Sequence, residues 1–341
     1  MAASPGVADA ADPPHLPPDT GLAAAYALHQ PERQTCPLVL ASPHSGRFYP
    51  PEFLQASRLS PLALRASEDG YVDEIFLPAV RIGVPLLAAC FPRAYVDPNR
   101  EAFELDPEMF RDPLPAYVNT RSPRVAAGLG TLARLVASGA EIYRDKMPFS
   151  EALARIERYY TPYHAILKTL LDASTARFGL CLLLDCHSMP SCGGPGEADR
   201  GRRRVDFVLG DCHGQSCANG ITTAAERILR GLGYSVTRNI PYAGGFTTRH
   251  YGRPGQKVHA LQIEINRGLY LDEDTRTRKP YISTLSRHMV QLVEGLAALN
   301  LLQPSLRLSE QPAEPSDPAE PPATSPEAVL PAGHRDSVGT P

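Results

Sequence analysis

No apolar run in this 341-residue chain approaches the roughly 20 residues that a membrane-spanning helix needs. Neither sign of charge dominates. The 34 Lys and Arg against 37 Asp and Glu leave a formal net charge of -3, so nothing global points to nucleic acid or to an acidic membrane surface. Arg202-Arg203-Arg204 has no interleaved aromatic residues and reads as a solvated loop rather than a nucleic-acid patch. The 7 cysteines form no C-x-x-C pair. Reduced thiols of a cytoplasmic protein fit them best, and a structural zinc knuckle on Cys181, Cys186, Cys192, Cys212 or Cys217 has little support. The first residues offer no basic segment followed by an apolar one, so no signal peptide is expected. H-E-x-x-H is absent as well, so any metal site has to be assembled from distant segments. No internal repeat is visible.

What is present is a sizeable apolar content, 43%, enough for one large α/β domain. Residues 1–22 are rich in Ala, Pro and Asp and read as a flexible leader. Residues 303–341, rich in Pro, Ser, Glu and Ala, read as a disordered tail. A single domain is expected over 23–302. The organising stretch is Leu180 to Pro190. An unbroken apolar run ends at Asp185-Cys186-His187-Ser188, as a strand buried on both faces ends where a ligand usually binds. Pro37 to Ala41 repeats the pattern and leads into Ser42-Pro43-His44-Ser45-Gly46. If the two strands are parallel, His44 and His187 lie on one edge of the sheet.

Further along the chain, Val72 to Ile82 reads as an amphipathic helix. Asp69, just before it, is either a helix cap or a metal ligand. Val84 to Ala89 is a strand. Phe91 to Arg100 carries Arg93, Asp97, Asn99 and Arg100 around a short Tyr-Val strand, and arginines so placed can clamp a carboxylate; the alternative is ordinary surface ion pairs. Asp106 to Pro123 is Pro-rich and irregular. Phe149 to Phe178 has helical periodicity, with Pro162 marking a kink or break. His164 on it is a packing or capping residue by default, or else one that approaches the site. Val205–Leu209 and Tyr234–Thr237 are strands, Asn219–Leu232 is a helix, and His213 between them is an exposed histidine or a second ligand. Pro241 to Gly252, with Arg249, is a Gly-hinged loop, a candidate lid or substrate-contacting segment. In Ala260–Arg267, Leu261, Ile263 and Ile265 alternate with Gln262, Glu264 and Asn266. Such a strand either borders a polar active site or is an edge strand with a wet face. Tyr281 to Leu302 closes with an amphipathic helix.

Two histidines and a carboxylate make a recurrent catalytic zinc shell that leaves a position open for water. A carboxylate outside the shell can move the proton from water to the leaving nitrogen, and Glu264 suits that role. Asp185, two residues before His187, suits the orientation of a ligand by hydrogen bonding. Mn, Fe or Co remain alternatives to zinc for such donors.

The blocks Ser42-Pro43-His44-Ser45-Gly46, Val96-Asp97-Pro98-Asn99-Arg100, Tyr159-Tyr160-Thr161-Pro162-Tyr163-His164, Asp185-Cys186-His187-Ser188-Met189-Pro190 and Gln262 to Tyr270 resemble, in order, the N-formylglutamate amidohydrolase family. The resemblance implies a three-layer α/β/α fold of the zinc-carboxypeptidase type, with a mixed, mostly parallel central sheet. It implies hydrolysis of N-formyl-L-glutamate, a small anionic substrate, to formate and L-glutamate. His44 and His187 are then metal ligands and Glu264 the general base. Asn99 and Arg100 grip a substrate carboxylate, with Arg93 or Arg249 assisting. One departure stands out. Carboxypeptidase-like enzymes often place a Glu three residues after the first His, and here that residue is Arg47. The third ligand is then Asp69, with Glu68 in reserve. Another N-acyl amino acid or small peptide as substrate, and a metal-binding regulator without catalysis, are the competing readings.

Overall fold

The computed structural model of the chain describes residues 24–194 and 197–299. The expected leader at 1–22 and tail at 303–341 lie outside them. Seven strands form one sheet: β1 Tyr26–His29, β2 Leu38–Ser42, β3 Leu86–Ala89, β4 Cys181–Met189, β5 Phe207–Gly210, β6 Val236–Arg238 and β7 Val258–Asn266. Their spatial order is β1-β3-β2-β4-β7-β5-β6. β3, β2, β4 and β7 run parallel, and β1 and β5 are antiparallel to their inner neighbours. β6 runs parallel to β5. The sheet is thus mixed and mostly parallel, as expected. β1 was not expected from the sequence.

The strands carry one apolar set on each face, and each face has its own layer of helices. Leu40, Leu184, Ile263 and Ile265 pack with α1 Val72–Phe76, α4 Asn219–Gly231 and α6 Ile282–Ala297. Val39, Ala41, Leu183 and Ala260 pack on the other face with α2 Phe149–Arg155 and α3 Thr161–Phe178. This is a three-layer α/β/α arrangement. A short helix, α5 Phe246–Tyr251, precedes β7. The expected helix from Val72 tightens into a 3-10 turn at Leu77–Ile82, because Pro78 has no N–H to continue the α pattern. The final helix ends at Ala297; residues 300–302 of its expected span lie outside the described residues.

Two features of the sheet place the site. First, β4 does not stop at Asp185. Asp185, Cys186, His187 and Ser188 stay in the ladder, in register with Gln262, Ile263, Glu264 and Ile265 of β7. The expected strand-end loop is a strand, since β7 pairs with it as far as Met189, although β2 pairs only as far as Asp185. Period-two geometry then puts Asp185 and His187 on one face, beside Gln262 and Glu264. Second, β7 is a central strand, not an edge. Fully burying Leu261, Ile263 and Ile265 contributes about 1.5–3 kcal/mol each, which outweighs the polar cost on the opposite face. A slip of one residue would forfeit that burial.

The segment from Phe149 to Phe178 is continuous. Between α2 and α3, Ile156–Tyr160 is a wide π turn, closed by the Thr161 N–H on the Ile156 carbonyl. Pro162 sits in the first turn of α3, where its missing N–H costs little. Of the expected kink or break, the break is absent, and the helix changes from a π to an α turn just before Pro162. The Tyr95-Val96 strand is a turn instead, with both N–H groups on the Pro92 carbonyl.

A candidate metal centre with a carboxylate beside it

The site lies on the α2–α3 face, at the carboxyl ends of β2, β4 and β7. His44 follows β2. His187 lies in β4, and β2 and β4 are parallel, so the two imidazoles meet with ring centroids 4.7 Å apart. Asp69 reaches in from the turn before α1. Its backbone N–H donates to the His44 carbonyl at 3.0 Å, and its side chain caps no helix. Asp69 Oδ2 is 3.3 Å from His44 Nδ1 and 3.0 Å from His187 Nδ1. One ligand atom from each of His44, Asp69 and His187 lies within 4.8 Å of the others, and all three residues are buried. Among the described residues, no cysteine joins this group or any like it.

The outward-facing nitrogens are occupied too. His44 Nε2 pairs with Asp97 Oδ1 at 2.7 Å, and His187 Nε2 lies 3.0 Å from Asp185 Oδ1. Asp69 gives its second oxygen to Arg267 Nη2 at 2.7 Å. A proton on His44 Nε2 leaves a lone pair on its Nδ1, and His187 Nδ1 points at the same carboxylate oxygen, Asp69 Oδ2. Burial would raise the Asp69 pKa, yet its hydrogen bonds to His187 and His44, with Arg267 nearby, hold it well below the carboxylate range. Burial would lower the His187 pKa, but Asp185 and Asp69 push it well above the ordinary value. Four buried carboxylates, Asp69, Asp97, Asp185 and Glu264, gather here with the guanidinium groups of Arg93, Arg100 and Arg267. Two imidazole nitrogens, one carboxylate oxygen and carboxylates backing both rings suit a divalent transition-metal ion, zinc above all.

Glu264 stands one strand from His187, its Oε1 accepting from Gln262 Nε2 at 3.0 Å. Burial pushes its pKa up to about 7, against the opposing charge of His187. Such a carboxyl exchanges protons near neutrality.

Glu68 turns away from the histidines and accepts from Tyr49 and Arg65. Arg47 pairs with Asp73 and Glu74. His213 lies exposed on the turn after β5. Because β5 runs antiparallel to β7, that turn is at the opposite edge of the sheet from the site. Arg204 is not solvated as expected: its side chain is buried against Glu197, Asp199 and Tyr242.

Asn99, Arg100 and Arg249 line one cavity of about 500 Å³, with Arg124 and His250. Arg93 is not among its lining residues and pairs with Asp97 at 2.8 Å. Arg100 donates to the Leu129 and Asn99 carbonyls at 2.9 and 2.7 Å. The expected lid is a pinned helix. The Gly245 N–H donates to Gln262 Oε1 at 2.8 Å, and the Thr247 N–H donates to Asn99 Oδ1 at 2.8 Å. A Cβ on Gly245 would lie 2.2 Å from Asn99 Nδ2. Gly245→Ala is therefore expected to displace Asn99 and lower kcat/KM about 100-fold, at a stability cost of about 1–3 kcal/mol; steady-state kinetics and chemical denaturation check both.

Sequence reasoning assigned no role to Asp97 or Arg267. Asp97 stands two residues before Asn99 in an otherwise recognised block, and Arg267 directly follows β7; both were visible only as members of those blocks.

A family model described as N-formylglutamate amidohydrolase matches residues 36–271. The chain belongs to that family. The family segment contains every residue of the centre, from His44 to Arg267. This family member is 31% identical over 245 residues to an N-formylglutamate deformylase of Pseudomonas aeruginosa, covering 71% of the chain and 85% of the relative. A Pseudomonas putida protein of the same name is 28% identical over 240 residues, covering 70% and 82%. A crystal structure of an N-formylglutamate amidohydrolase from Ralstonia eutropha superposes with a TM-score of 0.74 at 39% identity, covering 81% of this chain and 98% of that one. A protein from Agrobacterium tumefaciens, 18% identical, shares the fold with a TM-score of 0.57, covering 80% and 95%. No helix among the described residues is long and apolar enough to cross a membrane.

His164 of this family member is half-buried in α3. Burial, with His250 nearby, pulls its pKa down to about 4 from 6.5. Protonation therefore favours the unfolded chain. The stability from a neutral His164 is full above pH 6.5 and is lost as pH falls toward 4, by about 3 kcal/mol at most. Denaturation between pH 7 and 4 is expected to show that loss, and His164→Phe is expected to flatten it.

Proposed function

We propose that this protein is a cytoplasmic metal-dependent amidohydrolase that cleaves N-formyl-L-glutamate to formate and L-glutamate. The observation that carries the reading is the convergence of His44, Asp69 and His187 one strand from a buried, unligated carboxylate, Glu264. The relatives' names supply the substrate.

His44, Asp69 and His187 would hold the ion, zinc in the first instance. When bound, such an ion supplies Lewis acidity at a carbonyl oxygen and lowers the pKa of water. Asp97 and Asp185 orient the two imidazoles from behind, and Arg267 keeps one Asp69 oxygen occupied so that the other faces the histidines. Glu264 takes the proton of the attacking water and returns it to the departing nitrogen as the C–N bond breaks. A carboxyl with a pKa near 7 can do both.

The substrate carries two carboxylates. Arg100 and Arg249 share a cavity with Asn99, and Arg93 lies on the Asp97 side of the loop, among the charges that act on Glu264. Burial pulls Arg100 down to about 10, so it stays charged at neutral pH. These guanidinium groups are assigned to the carboxylates, where planar forks give bidentate contacts.

Formate release from N-formyl-L-glutamate tests the reading. Activity abolished by a chelator and restored by zinc supports it. Turnover of other N-acyl amino acids in preference to this one would move the assignment to a different substrate, and zinc binding without turnover of any would make the protein a metal-binding regulator.

A further inference from the structure

Tyr160 and His164 are four residues apart and share one face of the helix. The Tyr160 hydroxyl donates to the Arg100 carbonyl at 2.8 Å. His164 Nε2 lies 2.8 Å from the Pro98 carbonyl, so that nitrogen carries the proton. Nδ1 then accepts from the Tyr251 hydroxyl at 2.8 Å. The two carbonyls flank Asn99. Asn99 Nδ2 lies 3.2 Å from His187 Nε2. The Asn99 backbone N–H donates at 2.8 Å to Asp97 Oδ1, the oxygen that meets His44 Nε2. One short segment, Asp97 to Arg100, thus touches the rings of both histidines, and helix side chains grip it on either side of its middle residue.

The π turn sets this up. Its extra residue rotates all that follows by about 100° relative to an unbroken α-helix. Pro162 stabilises the turn, because it offers no N–H to the Arg158 carbonyl.

We propose that Tyr160 and His164 are positioning residues: by fixing the backbone on both sides of Asn99, they hold Asp97 against His44 and Asn99 against His187. This deepens the proposed function and rests on it only for its kinetic consequence. The rings pack closely, Tyr160 on His164 at 4.2 Å and His164 on Tyr251 at 5.9 Å between centroids, so phenylalanine preserves the packing while removing the polar atoms.

Tyr160→Phe and His164→Phe, singly and together in the full chain, test the proposal by amide hydrogen exchange and kinetics. Exchange at the Asp97 and Asn99 amides is expected to quicken about five- to tenfold in each single variant, the worth of one net hydrogen bond, with β4 and β7 unchanged. At saturating zinc, kcat is expected to fall by a similar factor, with KM for the substrate nearly constant in His164→Phe and raised in Tyr160→Phe through Arg100. His164→Gln, which keeps a donor for the Pro98 carbonyl, is expected to recover part of both effects. Unchanged exchange at Asp97 and Asn99, or equal acceleration throughout the chain, would overturn the proposal. Exchange is read without substrate. A wild-type protein inert on every N-acyl amino acid therefore refutes the proposed function, while the exchange result still decides the positioning role.

Discussion

Glu264→Gln is expected to lower kcat by about 10² to 10⁴-fold, the range for a lost general acid–base, while zinc still binds at one equivalent. The substitution keeps size and shape, and the new amide oxygen can still accept from Gln262 Nε2. Only the ionisable group is lost. The charge at this position is costly where it stands, since burial pushes the carboxyl up to about 7. The variant is therefore expected to melt at the same temperature as the wild type or higher. Steady-state kinetics, metal analysis and calorimetry separate the outcomes. Lost zinc would make Glu264 a ligand instead, and a near-normal rate would remove it from the reaction.

His187→Ala is expected to abolish both stoichiometric zinc binding and activity, and to destabilise the fold. Removing the imidazole opens the donor set and leaves Asp185, with 0% relative exposure, facing only Thr248 Oγ1 at 3.2 Å. Stranding a buried charge in this way costs about 3–5 kcal/mol. Asp185→Asn serves as the control. It keeps the shape and the ligand, so zinc affinity is expected to drop only about 10- to 100-fold, as when an outer partner of a ligand is altered. Unchanged metal content in His187→Ala would dismantle the proposed shell.

The parts of this architecture that were legible in the sequence are those where burial writes a pattern. β2 and the first half of β4 read as apolar runs, and the second half of β7 alternates because one of its faces is core there and the other is polar. These three strands position His44, His187 and Glu264, so the centre could be assembled before any coordinates. The continuation of β4 through Asp185 and His187 could not. Polar residues in a central strand break the pattern that identifies strands, and they are tolerated here only because they face one another across β2, β4 and β7. Asp97 was overlooked for a related reason. Its segment is an irregular turn, fixed by Tyr160 and His164 from more than sixty residues away along the chain, and no local spacing encodes that grip. The helix at Phe246–Tyr251 was read as a hinged loop because Gly244 and Gly245 precede it. Gly245 serves close approach to Asn99 rather than mobility. Only the family resemblance favours Asp69 over Glu68 in the sequence, since the choice depends on which of two adjacent side chains points inward from a turn.

The most direct test is anomalous diffraction at the zinc edge from crystals of the protein grown with zinc. A single strong peak bounded by His44 Nδ1, His187 Nδ1 and Asp69 Oδ2, with Glu264 unligated, is the predicted result. A peak elsewhere, or none between those three atoms, would contradict it.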